Sequence, residues 1–254
     1  MRRFLFTPFV FVFLSLTVSA QDFKTILEAV DDLASYPDRD FAAEYTIVHD
    51  RPGRGRDTTV SAVFRRDSEE KYVIILTEPQ NKKGQGYLKQ GPTLWFYDPT
   101  SRRFNSTSSQ ERFQNSNARN SDFTESTLAL DYDVLSGERV ELGRFDCWLL
   151  ELQANNEEVT YPYMRIWVDD DNLIRKSEDY SLSRELMRTT AIPSYQMLDG
   201  KAVPQALLIV DALAGARVDG RFVNERTQIS ISKVSFEALP DSTFSKSFLE
   251  NVSR

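Results

Sequence analysis

Hydrophobic positions along this chain recur at two spacings, and the change from one to the other separates a leading helix from a long run of strands. After Asp22, a good N-cap, Phe23, Ile26, Leu27, Val30 and Leu33 fall three or four residues apart, and the pattern stops before Pro37. That spacing places all five on one face of a helix from Asp22 to Ser35. From Phe41 the period drops to two: Tyr45 and Ile47, then Val60, Ala62 and Phe64, then Tyr72, Ile74 and Leu76. Such alternation predicts strands. The groups Arg51-Pro52-Gly53-Arg54-Gly55, Asp67-Ser68-Glu69-Glu70 and Asn81-Lys82-Lys83-Gly84 supply the turns that follow them.

Thr93-Leu94-Trp95-Phe96-Tyr97-Asp98-Pro99 breaks the alternation. In a strand Trp95 and Tyr97 share one face and Leu94 and Phe96 the other, so both faces are apolar. The segment therefore lies between two hydrophobic layers, or between a layer and a cavity. Strand rhythm returns over residues 147–152, 163–168, 173–180, 185–192, 205–211 and 227–236, with Asp169-Asp170-Asp171-Asn172 as one of the turns. Spacing this short favours an antiparallel meander over parallel strands with crossover helices. Residues 112–120 are polar and weakly patterned. A short helix is predicted from Asp122, and another near the end, where Phe244, Phe248 and Leu249 share a helical face. No linker or repeat divides the chain, so residues 21–254 read as one mainly β, α+β domain.

Residues 1–20 read as a secretory signal peptide: Arg2 and Arg3, an apolar run from Phe4 to Val18, and small residues up to a cleavage point after Ala20. No cysteine stands at that point, so the protein itself is not expected to be a lipoprotein. Removing the leader takes away only two charges and leaves 29 Lys plus Arg against 38 Asp plus Glu, a net charge of −9. An acidic chain of this kind opposes binding to nucleic acid. Cys147, the sole cysteine, sits in an apolar run and reads as a buried, inert thiol. His49, the sole histidine, adjoins a predicted hairpin loop and is expected to face water. One histidine excludes a site with two imidazole ligands. No nucleophile elbow occurs, and Asp169, Asp170 and Asp171 are explained by their turn, so neither catalysis nor a cofactor or metal is expected. Arg51, Arg54 and Arg56 form a basic loop, read either as a solvated tip or as a dock for a partner or lipid headgroups.

The Trp95 strand, the Ser121-Asp122-Phe123 element after it, and Ile166-Trp167-Val168-Asp169 before its turn carry a family likeness. In their order and spacing the chain resembles the outer-membrane lipoprotein-sorting proteins, the LolA-like family. It departs from the related branch at Asn120, where that branch often has glycine. The resemblance implies a single unclosed antiparallel β-barrel, with helices as a lid over a hydrophobic cavity. It also implies a periplasmic, monomeric, non-enzymatic carrier of lipoprotein acyl chains or phospholipid. Such a carrier takes cargo from an inner-membrane lipid or lipoprotein transporter toward an outer-membrane acceptor. The more uniformly apolar strand faces are assigned to the cavity: Tyr45, Ile47, Phe64, Ile74, Leu76, Trp95, Tyr97, Trp148, Leu150, Ile166 and Val168. Phe23, Ile26, Leu27, Val30, Phe123 and Leu128 are assigned to the lid. The alternative is a sensor of the same fold that binds lipid or lipoprotein and reports to a membrane partner; a secreted hydrolase is the third reading.

Overall fold

The computed structural model describes residues 23–252. The expected leader, its cleavage point and the N-cap Asp22 lie outside the described residues. The helical spacing becomes α1 (Phe23–Ala34). The alternating segments become β1 (Asp40–Arg51), β2 (Gly55–Arg66), β3 (Lys71–Glu78), β4 (Gly86–Gln90), β5 (Thr93–Asp98) and β6 (Arg103–Thr107). After a long connection come a single helical turn, α2 (Leu128–Asp131), and a second set of strands. These are β7 (Tyr132–Leu142), β8 (Phe145–Ala154), β9 (Tyr163–Asp169), β10 (Ile174–Tyr180), β11 (Leu186–Leu198), β12 (Lys201–Val218) and β13 (Arg221–Ser235). A short helix, α3 (Lys246–Val252), ends the described chain.

All these strands form one antiparallel sheet in the order β6-β5-β4-β3-β2-β1-β13-β12-β11-β10-β9-β8-β7. Two meanders meet where the first strand pairs with the last, with Tyr45 opposite Ile231 and Ile47 opposite Ile229. The sheet stays open, because β6 and β7 are its two edges. This is an unclosed β-barrel. Its edges are consecutive in sequence, so residues 108–131 must travel from one side of the opening to the other. They do so across the inner face, where Phe113, Ala118 and Phe123 are fully buried among Tyr45, Tyr72, Ile74 and Tyr87. The helix expected from Asp122 is not there. Residues 120–123 make a 3-10 turn in which Asp122 accepts a bond from the Arg119 amide at 2.7 Å, and the α-helical turn waits until Leu128.

The apolar faces of β2 to β5 each find a cover. Val63, Ile74, Tyr87 and Phe96 stand side by side on the inner face, under the crossing segment. Phe64, Val73, Leu88 and Trp95 stand side by side on the outer face, under Phe244, Phe248 and Leu249. Phe248 meets Phe64 edge to face at 6.1 Å, and the Lys246 ammonium lies 4.3 Å over the Trp95 ring. Phe64, Trp95 and Tyr97 were assigned to the cavity face, and this placement corrects that assignment. Both residue sets of β5 are equally apolar, and the outer one is used to dock the C-terminal helix.

His49 also departs from expectation. It follows Phe41, Ala43, Tyr45 and Ile47 in strict alternation, so its ring points inward, 5% exposed, with Nδ1 3.0 Å from Thr227 Oγ1. Burial holds its pKa below the ordinary histidine value. Cys147 is buried on β8, and burial pushes its thiol pKa up. Asp169 caps its own turn by accepting bonds from the amides of Asp171 and Leu173, and it pairs with Arg175.

The docking of α3 depends on a missing side chain. A Cβ at Gly86 would lie 2.6 Å from a Leu249 methyl and 2.9 Å from the Ile74 carbonyl oxygen. Gly86→Ala should therefore lower stability by about 1–3 kcal/mol through overpacking. Leu249→Ala should cost about 2–5 kcal/mol through a cavity. Because each change relieves part of the other, urea unfolding of the double variant should show less than the sum; full additivity would mean the two positions do not touch.

Candidate binding cavity

Where the crossing segment turns away from the sheet toward α2, the interior is left hollow. The space measures about 540 Å³, within the range of roughly 300–1,000 Å³ common for ligand sites. Its floor is the inner face of β10 to β13 and β1. Alternation brings Tyr45, Ile192, Leu207, Ile209, Ile229 and Ile231 into the wall. Its roof is the C-terminal half of α1, through Val30, Leu33 and Ala34, together with Phe123 and Leu128. The wall also includes the exposed Glu158, so the hollow reaches the surface.

Besides the outer-face set of Phe64, Trp95 and Tyr97, the residues singled out by sequence divide among three places. Tyr45, Val30, Phe123 and Leu128 line the hollow. Ile47, Ile74 and Leu76 share the inner face with them but pack in the filled half of the barrel. Trp148, Leu150, Ile166 and Val168 form a separate solid cluster beneath Ile26 and Leu27. Phe23 seats the N-terminal end of α1 in that cluster, edge-on to Trp148 at 5.5 Å and against the bare backbone of Gly137. Hence α1 is anchored by its first half and roofs the cavity only with its second. Sequence reading missed the walls from β11 to β13. The alternation of Thr227, Ile229 and Ile231 could have found one of them. The unbroken apolar run from Ala206 to Val210 conceals which side of β12 faces in.

The two parts of the roof are latched together. Asp31 on α1 accepts bonds from Ser126 Oγ at 2.6 Å and from the amides of Leu128 at 3.0 Å and Ala129 at 2.7 Å. One carboxylate thereby caps the free N–H groups at the start of α2. Ser35 Oγ adds a bond to the Ser126 carbonyl at 2.9 Å.

Two arginines at the cavity wall are paired in place. Arg188 on β11 binds Asp122 through two bonds of 2.7 and 2.8 Å, and Asp179 on β10 through Nε at 2.5 Å. Burial disfavours the Arg188 cation, yet the two carboxylates win and hold its pKa well above the usual range. Asp179 is fully buried with Oδ1 lacking a partner, and desolvation pushes its carboxyl pKa up. At the other end Arg65 is clamped by Asp67 at 2.7 Å and lies over the rings of Tyr36 and Phe41. Glu125, half-buried nearby, has its pKa raised by burial. What remains for a ligand is an apolar floor of Ile and Leu side chains, with polar groups such as Thr124, Glu125, Asn156 and Glu158 toward the mouth.

A family model described as an uncharacterized protein matches residues 68–251. A LolA superfamily protein from Nitrosomonas europaea is 25% identical, with a TM-score of 0.73 over 89% of this chain and 98% of its own. The chain belongs to the family that the matching model describes, and its fold is LolA-like. Two further structures share the fold: a DUF1329 family protein from Desulfovibrio piger (19% identity, TM-score 0.77) and an outer membrane lipoprotein-sorting protein domain from Vibrio parahaemolyticus (18%, TM-score 0.75). Each alignment covers 89% of this chain and 97% of the other. No curated protein matches the sequence.

In this LolA-like chain the Arg188 cluster ties the crossing segment to the sheet. Arg188→Met removes the shared cation and leaves two carboxylates facing each other, one of them fully buried. The expected loss is about 3–5 kcal/mol in denaturant unfolding. Asp179 has a folded pKa above its ordinary 3.8. Its contribution is therefore fully present below that value and is lost as pH rises through the raised folded pKa. Asp179→Asn should gain on the wild type as pH climbs from 3.8 toward neutrality; a stability difference that does not change with pH would show that Asp179 stays ionised throughout.

Proposed function

We propose that this protein is a non-enzymatic periplasmic carrier that shelters the acyl chains of a lipoprotein or phospholipid in the hollow under α1 and α2. In this reading residues 1–20 are a cleaved export signal and residues 21–254 are the carrier domain. Cargo arrives from an inner-membrane transporter and leaves toward an outer-membrane acceptor. The observation that carries the proposal is the apolar-walled space of about 540 Å³. Water in the hollow gains few partners along the floor, which is built of Ile and Leu side chains. A hydrocarbon chain fits the lining, since each methylene withdrawn from water is favourable by about 0.8 kcal/mol. The LolA-like fold and the pairing of Arg65 and Arg188 at the wall support the same reading.

Two measurements test it. Organic extracts of the purified protein, analysed by mass spectrometry, should contain acyl lipid, and a fluorescent fatty acid should bind and be displaced by that lipid. Leu207→Trp, which fills the hollow from the floor, should weaken probe binding at least about tenfold while leaving the fold intact. Unchanged probe affinity in that variant would place the binding elsewhere. Asp31→Ala should cost about 0.5–2 kcal/mol as a lost cap, and it should speed probe release in stopped-flow exchange because the two roof segments no longer move together.

A further inference from the structure

One end of the barrel differs in chemistry from the rest of the surface. The β12–β13 hairpin runs past its neighbour: β1 makes its last pair at Asp50 with Arg226, and residues 221–225 continue beyond it. Five residues of strand extend about 17 Å. The projection starts at a fixed kink, where Asp211 accepts bonds from the amides of Leu213 and Ala214 and from Arg112 of the crossing segment. Beyond the kink the hairpin displays Leu213, Val218, Phe222 and Val223 to solvent, with Phe222 53% exposed. The Phe222 ring lies across Gly215, where a Cβ would stand 2.8 Å from it, so the ring is held in one orientation. Leu182, 81% exposed, sits in the β10–β11 turn at the same end.

Arginines surround these apolar side chains. Residues 50–57 and 212–226 together carry six arginines against four carboxylates, on a chain whose net charge is −7. Arg51 and Arg56 are paired with Asp57 and Asp50, and Arg226 with Asp50. Arg54, Arg217 and Arg221 are exposed and make no ion pair among the described residues. Guanidinium groups beside an exposed aromatic wedge match the two layers of a membrane surface, with phosphate above and acyl chains below.

We propose that this hairpin end docks the protein onto a bilayer bearing anionic phospholipid. Val218 and Phe222 enter the headgroup boundary, and Arg54, Arg217 and Arg221 meet the phosphates. An acidic chain is otherwise repelled by such a surface, so the contact also fixes which end faces the membrane. The assignment goes beyond the carrier reading and stands on the surface alone, whatever fills the cavity.

The test is co-sedimentation of the full chain with vesicles of phosphatidylcholine alone or mixed with phosphatidylglycerol. The protein should pellet with the mixed vesicles at low salt, stay in solution with phosphatidylcholine, and come off at about 1 M salt, where the Debye length is only ~3 Å. Arg54→Glu/Arg217→Glu/Arg221→Glu should lower the bound fraction at least about tenfold, and Phe222→Ser should lower it several-fold. Leu207→Trp, which tests the cavity, should bind vesicles like the wild type. Failure of the wild type to pellet with anionic vesicles would overturn the proposal, including the case in which the hairpin instead contacts a membrane protein. So would equal binding by the arginine variant.

Discussion

The opening between β6 and β7 governs the rest of this fold. A sheet that closed would bury its interior with its own side chains and would leave no unpaired edge. Here the two edges are successive strands, and the chain has to bridge them with a segment that has no sheet to join. That segment enters the interior and fills half of it with Phe113, Ala118 and Phe123. The other half is left to α1 and α2, which lie across the gap without reaching its floor. Hollow and plug are two results of one topological fact.

Much of this was legible in the alternation of residues. The leading helix, the strands from β1 to β3 and most of those after β8 stand where the periods of 3.6 and two put them. β4 and β6 are only five residues each, too short for a period to register. β7 is an edge strand with Tyr132 as its only buried residue, so it carries little one-sided pattern to read. His49 is hard to read for a related reason: it stands beside a turn, yet it continues the inward series from Phe41. The crossing segment was the largest loss. Its three inward apolar residues are scattered among arginines and asparagines, and the burial of the segment depends on partners far away, such as Thr227, whose hydroxyl accepts the Asn117 amide at 2.9 Å.

The cavity was the harder problem. A strand with one apolar face declares its orientation, but β3 to β5 are apolar on both, and only the position of α3 decides which side is interior. Trp95, the most conspicuous side chain of the sequence, consequently serves the outer layer. The walls that do surround the hollow come from β11 to β13, where modest Ile and Leu residues alternate without any motif. Family likeness indicated that a cavity exists; locating it required the pairing of β1 with β13, a contact between residues nearly 190 positions apart in the chain.

Soft interiors close up: a void beside a movable filler shrinks as the filler slides into it. The plug of this barrel has no such freedom, because Asp122 is held by both nitrogens of Arg188 and Arg112 is held by Asp211. Shifting it by one residue would break both of these ion pairs. The salt links beside the hollow thus hold the plug in place and keep it from sliding into the space.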